Sequence, residues 1–277
     1  MIAAFLYGRL GNQLFQYAAG RALSLRLGVG LCLDTRHYRG KSRNDLAINH
    51  FSVVAEQCAR LPPFGSGLRR RLGHLRKTPF SIYEQQEHLL LDKEYFNQPD
   101  WTYLRGSFQS ERYFTDHATA IRQDLRIRSA TSAANRRIAD AIATTCAVSV
   151  HIRRGDYIGN VQLGILTLEY YYAAMRRMNE RLAEEPTFFL FSDDPQWVTD
   201  NLRPSAPHVV VHQRGPAYED LRLMSLCKHH IIANSSFSWW GAWLNPSCEK
   251  IVIGPKRWTS DPRDTMSERV PSEWLRV

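Results

Sequence analysis

The stretch CAVSVHIRRGDY, residues 146–157, decides the fold, because a seven-residue apolar run passes directly into a cluster of charged residues. A short apolar run rich in valine and isoleucine is typical of a strand buried on both faces of a parallel sheet. Four further runs of this kind follow, separated by segments in which apolar residues recur at helical spacing. The predicted strands are 146–152, 187–193, 208–212, 229–234 and 250–254, and the predicted helices are 133–144, 168–184, 195–202, 217–227 and 237–244. This alternation predicts a parallel α/β sheet.

The beginning of the chain repeats this pattern once. IAAFLY at 2–7 predicts a strand, residues 12–28 predict a helix, and GLCLD at 30–34 predicts a second strand. Further on the pattern weakens, and only a strand around 101–104 is predicted before a polar stretch at 129–134.

Composition and charge indicate two folded domains of different character. The chain has 277 residues, of which 44% are apolar and 23% charged, and this excludes a disordered or collagen-like protein. We predict an α/β domain over 1–128 and a second over 129–277. Their net charges are +8 and +1, so the basic excess belongs to the first.

The basic segment, residues 60–77, holds six positive residues and no acid, and it has two interpretations. Leucines at helical spacing among arginines are typical of an amphipathic helix lying on an anionic membrane surface. A solvated loop explains the same composition, and Gly73 weakens the helix. Nucleic acid is not a predicted partner, because no helix-turn-helix, zinc-finger or RNP-like pattern accompanies the segment.

Cysteine spacing and hydropathy bear on the compartment. The five cysteines are widely spaced and form no CxxC, which indicates neither a disulfide framework nor a zinc site. The sequence has no run of eighteen apolar residues and no recognisable export signal. We therefore expect a cytoplasmic protein, peripheral at the inner membrane if the basic segment binds lipid.

Ligands of open α/β sheets bind beyond the carboxyl ends of the strands, so the loops after the predicted strands are the places to search. The strand 146–152 carries His151 near its end and is followed by Arg153, Arg154 and Asp156. Because a guanidinium matches phosphate oxygens, the two arginines predict an anion site. The competing interpretation is that Arg153 pairs with Asp156 and only ties the loop.

The loop after the next strand begins with two acids, Asp193 and Asp194, directly before Pro195. Asp194 has the position of a helix N-cap followed by proline at N1. Asp193 is suited to accept from guanine N–H groups or from a ribose hydroxyl. The chain has no D-x-D motif and no histidine at ligand spacing nearby, so no metal site is predicted.

A third cluster, NSSFSWWGAW at 234–243, follows the strand 229–234. Ser235 and Ser236 begin a helix, and hydroxyls with backbone N–H groups at a helix N-terminus form an anion site as well as a cap. The tryptophans at 239, 240 and 243 are predicted to be core residues, because a buried helix face needs large apolar groups.

The first loop of the chain, GRLGNQ at 8–13, contains Gly8 and Gly11 but does not match the dinucleotide-binding pattern G-x-G-x-x-G. Gly11, a residue without a side chain, lets the backbone approach a ligand, and Asn12 and Gln13 are placed to address its polar groups. Hydrolysis and phosphoryl transfer are not indicated, because GxSxG, Walker A and HExxH motifs are all missing.

Four motifs together, GRLGNQLFQYAAGRAL, HIRRGDY, FSDD and NSSFSWWGAWLN, closely resemble those of glycosyltransferase family 11, the α-1,2-fucosyltransferases, in the same order. The resemblance implies a GT-B-like α/β architecture, with two Rossmann-like domains facing across a cleft. It further implies that domain 129–277 binds GDP-β-L-fucose, that domain 1–128 lies on the acceptor side, and that no cofactor or metal is needed.

The resemblance also implies roles for individual residues. The arginines of HIRRGDY, Arg153 and Arg154, would contact the donor diphosphate with His151 nearby. An acid of FSDD would contact the nucleoside. In the NSSFS motif, Ser235 and Ser236 would meet the diphosphate and Phe237 the nucleotide.

The implied reaction is transfer of L-fucose, with inversion, to the 2-hydroxyl of a terminal galactose during surface polysaccharide synthesis. A lipid-linked glycan is one form that this acceptor could take. Asp156 is the predicted general base, with orientation of Arg153 as its other interpretation. Two alternatives stay open: a transferase of different linkage or donor sugar, and a non-catalytic module that binds acidic glycans or nucleic acid.

Overall fold

The structure, a computed structural model, describes residues 1–39, 46–58, 61–62, 78–86, 90–212, 215–261, 263–264 and 268–277. The chain divides into two compact units, Met1–Arg128 (unit 1) and Ser129–Val277 (unit 2). Segment 60–77, for which membrane contact is one interpretation, lies outside the described residues except for residues 61 and 62. Within the described ranges, no helix combines the length and the apolar character that crossing a bilayer requires.

Unit 1 is built on a parallel sheet. Its strands are β1 (Ile2–Phe5), β2 (Leu31–Asp34), β3 (Ser81–Glu84) and β4 (Thr102–Arg105), in the order β2-β1-β4-β3, and its helices include α1 (Leu10–Leu27) and α2 (Ala118–Asp124). Helix α1 ends where Gly28 adopts a left-handed φ of 66°, a conformation that glycine accepts without strain. The predicted opening of strand, helix and strand is confirmed, whereas β3 was not predicted.

Unit 1 also contains a disulfide between Cys32 and Cys58, and the expectation that cysteine spacing indicates no disulfide is wrong for this pair. The two Cα atoms are 5.2 Å apart although the residues are separated by 26 positions. Glu56 pairs in parallel with Cys32 of β2, and this pairing brings residue 58 alongside the strand. Such a contact depends on tertiary structure, which the spacing of cysteines does not encode.

Unit 2 is a doubly wound parallel sheet. Its strands are β5 (Cys146–Ile152), β6 (Pro186–Ser192), β7 (His208–Val210), β8 (His229–Ile231), β9 (Val252–Gly254) and β10 (Leu275–Arg276), in the order β10-β9-β8-β5-β6-β7. Its helices include α3 (Ala133–Ala143), α4 (Leu168–Asn179), α5 (Pro195–Asn201), α6 (Ala217–Leu226) and α7 (Ser236–Leu244). The five predicted strands and the helices between them are confirmed, although α4 ends five residues earlier than predicted.

Strand β5 lies in the middle of this sheet and is buried over its whole length. Val148, Val150 and Ile152 point to one face, where they pack with residues of α4. Ala147 belongs to a cluster on the other face, which also includes side chains of α6. This two-sided burial explains why β5 has no exposed position along its length, although it includes Ser149 and His151.

Candidate functional site

The three predicted clusters of unit 2 emerge from neighbouring strands at one edge of its sheet. In the parallel pairing of β5 with β6, His151 lies opposite Phe191 and Ile152 opposite Ser192. Strand β8 pairs with β5 on the other side, and Ser235 follows it. The loops after these strands therefore meet at the carboxyl edge, where open α/β sheets bind ligands.

Arg153 is held by two carboxylates. Its guanidinium lies 2.5 Å from Asp156 Oδ1 and 3.0 Å from Asp193 Oδ2, and only 12% of its side chain is exposed. Its Nε is buried without a hydrogen-bond partner in the part of the chain that the structure describes. The pairing with Asp156 is the loop-tying interaction anticipated from the sequence, and it gives the guanidinium a fixed orientation.

Arg154 is fixed by different contacts. Its backbone N–H donates to Asp193 Oδ1 over 2.9 Å, and its Nε lies 3.4 Å from Asp194 Oδ2. The guanidinium carbon stands 3.6 Å from the centroid of the Trp197 ring, a close cation–π contact. Sequence reasoning missed Trp197, which lies three residues after the N-cap Asp194 and donates its backbone N–H to that carboxylate.

The charge of this cluster constrains what it binds. Arg153 and Arg154 carry two positive charges against three negative ones on Asp156, Asp193 and Asp194, so the site is not a simple positive patch. A guanidinium has five N–H donors in a rigid fork. Carboxylates that order such a fork occupy only some of its donors and leave others for a further anion.

His151 is buried on the same edge and is electrically neutral. Burial, followed by the charge of Arg153, lowers its pKa to about 3. Its ring centroid lies 5.5 Å from that of Phe237, and Nδ1 has no hydrogen-bond partner within the described ranges. An uncharged imidazole of this kind donates or accepts a hydrogen bond but carries no extra proton at neutral pH.

The loop of the third cluster is tied to the first. The side-chain amide of Asn234 donates to the backbone carbonyl oxygens of Leu163, Gly164 and Trp258. The backbone carbonyl oxygen of Asn234 accepts from the Tyr157 hydroxyl over 3.0 Å. Ser235 caps α7 by accepting from the N–H of Phe237 over 3.3 Å. Ser236 and Phe237 are half-buried at the start of that helix.

The three tryptophans of α7 are core residues, as predicted. Trp239, Trp240 and Trp243 are each at most 2% exposed and pack on one another. Their burial fixes the helix that places Ser235 and Phe237 at the sheet edge.

Asp220 is a carboxyl group of this edge that sequence reasoning missed. It lies in the first turn of α6, on the helix face of Leu223 and Met224, and those two pack with Phe237 in one cluster on the His151 face of the sheet. Its Oδ1 is buried without a hydrogen-bond partner among the described residues. Burial, reinforced by neighbouring Glu219, raises the pKa of Asp220 to about 7.

The acids of α6 resemble ordinary acids in a first helical turn, so their sequence context does not mark Asp220 as a site residue. The carboxylate of Glu219 makes its contacts within unit 2, where it accepts from Asn135 Nδ2 over 2.5 Å and pairs with Arg222. The available signal was the spacing of Asp220 to two apolar residues, three and four positions later, on the same helix face.

In unit 1, the loop predicted at 8–13 is mostly helical, because Gly11, Asn12 and Gln13 lie in the first turn of α1. Gln13 is buried, with its amide bonded to the carbonyl oxygen of Gly8 and to the N–H of Ile48. Gly11 is buried, whereas Asn12 is half-buried and its carbonyl oxygen accepts from Gln109 Nε2 over 2.9 Å. Of the predicted residues in this loop, Asn12 has the more accessible side chain.

A search of the described residues finds no group of three or more His, Cys, Asp or Glu side chains that is arranged to hold a metal ion.

Comparison with known proteins places this geometry in a family. The sequence model of glycosyl transferase family 11 matches residues 76–277. The chain belongs to glycosyl transferase family 11. The match includes every predicted site residue of unit 2.

Full-length relatives of this family member include bacterial enzymes. An α-1,2-colitosyltransferase of Escherichia coli is 32% identical, with 100% of this chain and 99% of the relative covered. The O-antigen biosynthesis glycosyltransferase WbnK of the same organism is 30% identical, covering 98% of this chain and 99% of the relative. A galactoside α-(1,2)-fucosyltransferase 1 of Saimiri boliviensis boliviensis is 25% identical, over 86% of this chain and 63% of its own length.

A solved structure with a similar fold is that of NodZ α-1,6-fucosyltransferase soaked with GDP-fucose. It is 15% identical, covers 88% of this chain and 92% of its own, and has a TM-score of 0.51. At this identity the likeness concerns the fold alone. The predicted fold class, α/β and GT-B-like, is confirmed for this family 11 glycosyltransferase.

Proposed function

We propose that this family 11 member is an inverting glycosyltransferase that moves L-fucose from GDP-β-L-fucose to the 2-hydroxyl of a terminal galactose. The observation that carries the proposal is the pair of arginines, Arg153 and Arg154, fixed on Asp193 at the carboxyl edge of unit 2. The relatives named for α-1,2 transfer of colitose and fucose support the type of linkage.

The arginine pair would bind the donor diphosphate. When the sugar leaves, negative charge grows on GDP, and fixed donors that need no rearrangement lower the barrier most. Arg153 meets this requirement because two carboxylates hold it, and Arg154 because it stacks on Trp197. The N–H groups at the start of α7, with Ser235 and Ser236, would add further donors. This arrangement would stabilise the negative charge on the leaving GDP without a divalent ion.

The nucleoside would be bound by Asp220, His151 and Phe237. Guanine offers N1–H and N2–H₂ donors, and an ionised carboxylate accepts both. Asp193, the acid first assigned to this role, is engaged with Arg153 and Arg154, whereas Asp220 Oδ1 lacks a partner in the described part of the chain. We therefore propose that Asp220 binds guanine and that Asp193 and Asp194 position Arg153 and Arg154.

Asp156 would act beside the reacting atoms. It is 42% exposed and its carboxylate pairs with Arg153. The pairing supports a role in orienting the guanidinium, and the role of general base for the acceptor hydroxyl remains the sequence prediction. His151 is a poor candidate for the general base, because its pKa, lowered to about 3, makes its imidazole a weak base.

The name of one relative supports the proposed type of acceptor. A galactose-terminated glycan in surface polysaccharide synthesis is the proposed acceptor, since the relative WbnK is named for O-antigen biosynthesis. A lipid-linked form of this acceptor and contact of segment 60–77 with the inner membrane are part of the same proposal. So is action in the cytoplasm, a compartment in which a disulfide such as Cys32–Cys58 is unusual.

Colitose is the second candidate for the transferred sugar, because a relative with 32% identity is named as a colitosyltransferase. Colitose is L-fucose without its 3-hydroxyl, so both donors present the same GDP. A site that hydrogen-bonds a hydroxyl rejects the deoxy analogue strongly, whereas an apolar site discriminates weakly.

The test is to incubate the protein with GDP-fucose or GDP-colitose and a series of galactosides, with EDTA present, and to measure GDP release and product linkage. We expect an α-1,2-linked product and undiminished GDP release in EDTA. Loss of activity in EDTA with recovery on adding Mn²⁺ would contradict the arginine mechanism. A protein that releases no GDP from either donor would instead be a binding module.

A further inference from the structure

Two aromatic rings, of Tyr7 and His37, meet at the carboxyl edge of the unit 1 sheet with their planes 72° apart. Strands β1 and β2 pair in parallel with Phe5 opposite Asp34, so Tyr7 and His37 follow their strands at the same edge. The ring centroids of Tyr7 and His37 are 6.4 Å apart, and both rings pack on buried Phe5, at 5.6 and 6.2 Å. Both residues are half-buried, so part of each residue is exposed to solvent.

Planar polar groups flank these rings. Gly8, directly after Tyr7, has a φ of 77°, and a Cβ added there would lie 2.6 Å from Asn12 Nδ2, so the Asn12 amide lies against this turn. Gln109 donates to the Asn12 carbonyl oxygen. Arg105, at the end of β4, places its guanidinium carbon 5.2 Å from the centroid of the Phe5 ring.

This combination matches the chemistry of a hexose. Galactose has one face on which C–H bonds form an apolar patch, and that face stacks on aromatic rings, while its hydroxyls pair with amide and guanidinium groups. Ligand sites commonly combine aromatic surface with a few placed polar groups.

We infer that Tyr7 and His37, whose rings meet at 72°, form a two-sided platform against which the apolar face of the acceptor galactose packs, with Asn12, Gln109 and Arg105 binding its hydroxyls. The inference rests on the proposed function and adds to it the place in unit 1 where the acceptor sugar binds. It predicts that loss of the platform weakens acceptor binding and leaves donor chemistry intact.

The test uses Tyr7→Leu and His37→Ala, with Trp101→Leu as matched control. Trp101 is also a half-exposed aromatic residue of unit 1, but it precedes β4 and thus lies at the opposite, amino end of the sheet. For each variant we would measure the KM for a β-galactoside, the KM for GDP-fucose, and donor hydrolysis without acceptor. Binding of methyl β-galactoside without donor is followed by saturation-transfer NMR, and folding by circular dichroism.

We expect both platform variants to raise the acceptor KM at least tenfold and to lose the NMR signal of the bound galactoside. Their donor KM and donor hydrolysis stay within twofold of the wild type, and the control changes neither. Acceptor KM and NMR signal within twofold of the wild type in a folded variant of either residue would overturn the inference. Failure of the proposed function is distinguishable, because a wild-type protein without donor hydrolysis still reports galactoside binding by NMR.

Discussion

Arg153 is the residue on which the proposed chemistry depends most. We expect Arg153→Ala to lower kcat about 100- to 1000-fold, because removal of one fixed donor at a site of developing negative charge has this effect. Arg177→Ala is the matched control, since Arg177 is an exposed arginine of unit 2 that pairs with Glu180. Steady-state kinetics with GDP-fucose would decide. A folded Arg153→Ala variant with a wild-type kcat would refute the role.

Asp220 gives the donor affinity a pH dependence of definite sign. Its pKa is raised to about 7, so the carboxyl is neutral below this pH and accepts poorly from guanine. We expect the KM for GDP-fucose to fall as the pH rises through about 7. Asp220→Asn should abolish this dependence and raise the KM at pH 8 about 10- to 100-fold, the value of one charge-assisted hydrogen bond.

The stability effect of the same residue has the opposite direction. Because the folded-state pKa lies above the ordinary value of 3.8, burial of Asp220 costs folding free energy once the carboxyl ionises in the unfolded chain, and this cost builds up as the pH rises from 3.8 to about 7. Asp220→Asn should therefore be more stable than the wild type at pH 8 and not at pH 3. Asp200→Asn, at an exposed carboxylate of α5, is the control for both measurements. A donor KM that is flat with pH in the wild type would count against the assignment.

The residue types of the site were predictable where a motif carries them, and not where tertiary structure does. Arg153 and Arg154 announce an anion site by their chemistry and their place after a strand. The division of labour among the acids was not predictable. It depends on which carboxylates meet the arginines. Asp220, which lies 26 residues after Asp194 in the sequence, is brought to the edge by helix α6.

At the scale of the element, the loop after β5 depends on a glycine. A Cβ at position 155 would lie 2.7 Å from Asp193 Oδ2, and that carboxylate is held by Arg153 and by the N–H of Arg154. We expect Gly155→Ala to shift Asp193 and lower kcat/KM for the donor about 10- to 100-fold, since misplacement of a positioned group by 1 Å has an effect of this size.

The matched control for this loop is Gly159→Ala, four residues further on. A Cβ there meets no atom within 4 Å, although the φ of 78° makes alanine strained. We expect a lower unfolding temperature and near wild-type donor kinetics. The same loss of kcat/KM in both variants would show that loop strain, rather than contact with Asp193, is responsible.

Strands buried on both faces were the elements most visible in the sequence. β5 and β6 were placed within one residue, because a continuous apolar run between helical segments has few other interpretations. β3 and β10 were not predicted: β3 is exposed at three of its four positions, and β10 has only two residues. Helix α4 ends at Asn179, and the chain must then turn back toward β6, which periodicity alone does not reveal.

At the scale of the whole molecule, unit 1 depends on the disulfide that the sequence did not indicate. Closing a loop of 26 residues restricts the unfolded chain, so Cys58→Ser should lower the free energy of unfolding of unit 1 by about 3 to 4 kcal/mol. Urea unfolding with and without reductant measures this, and Cys248→Ser, at an exposed free cysteine, is the control. A wild-type transition that reductant leaves unchanged would contradict the expectation.

The structure of the protein with GDP bound tests the central claim most directly. We predict that the diphosphate lies within hydrogen-bond distance, about 3 Å, of the guanidinium groups of Arg153 and Arg154. Guanine should lie against Phe237 with its N–H groups directed to Asp220. A diphosphate bound away from both arginines, or held by a divalent ion in their place, would contradict the account.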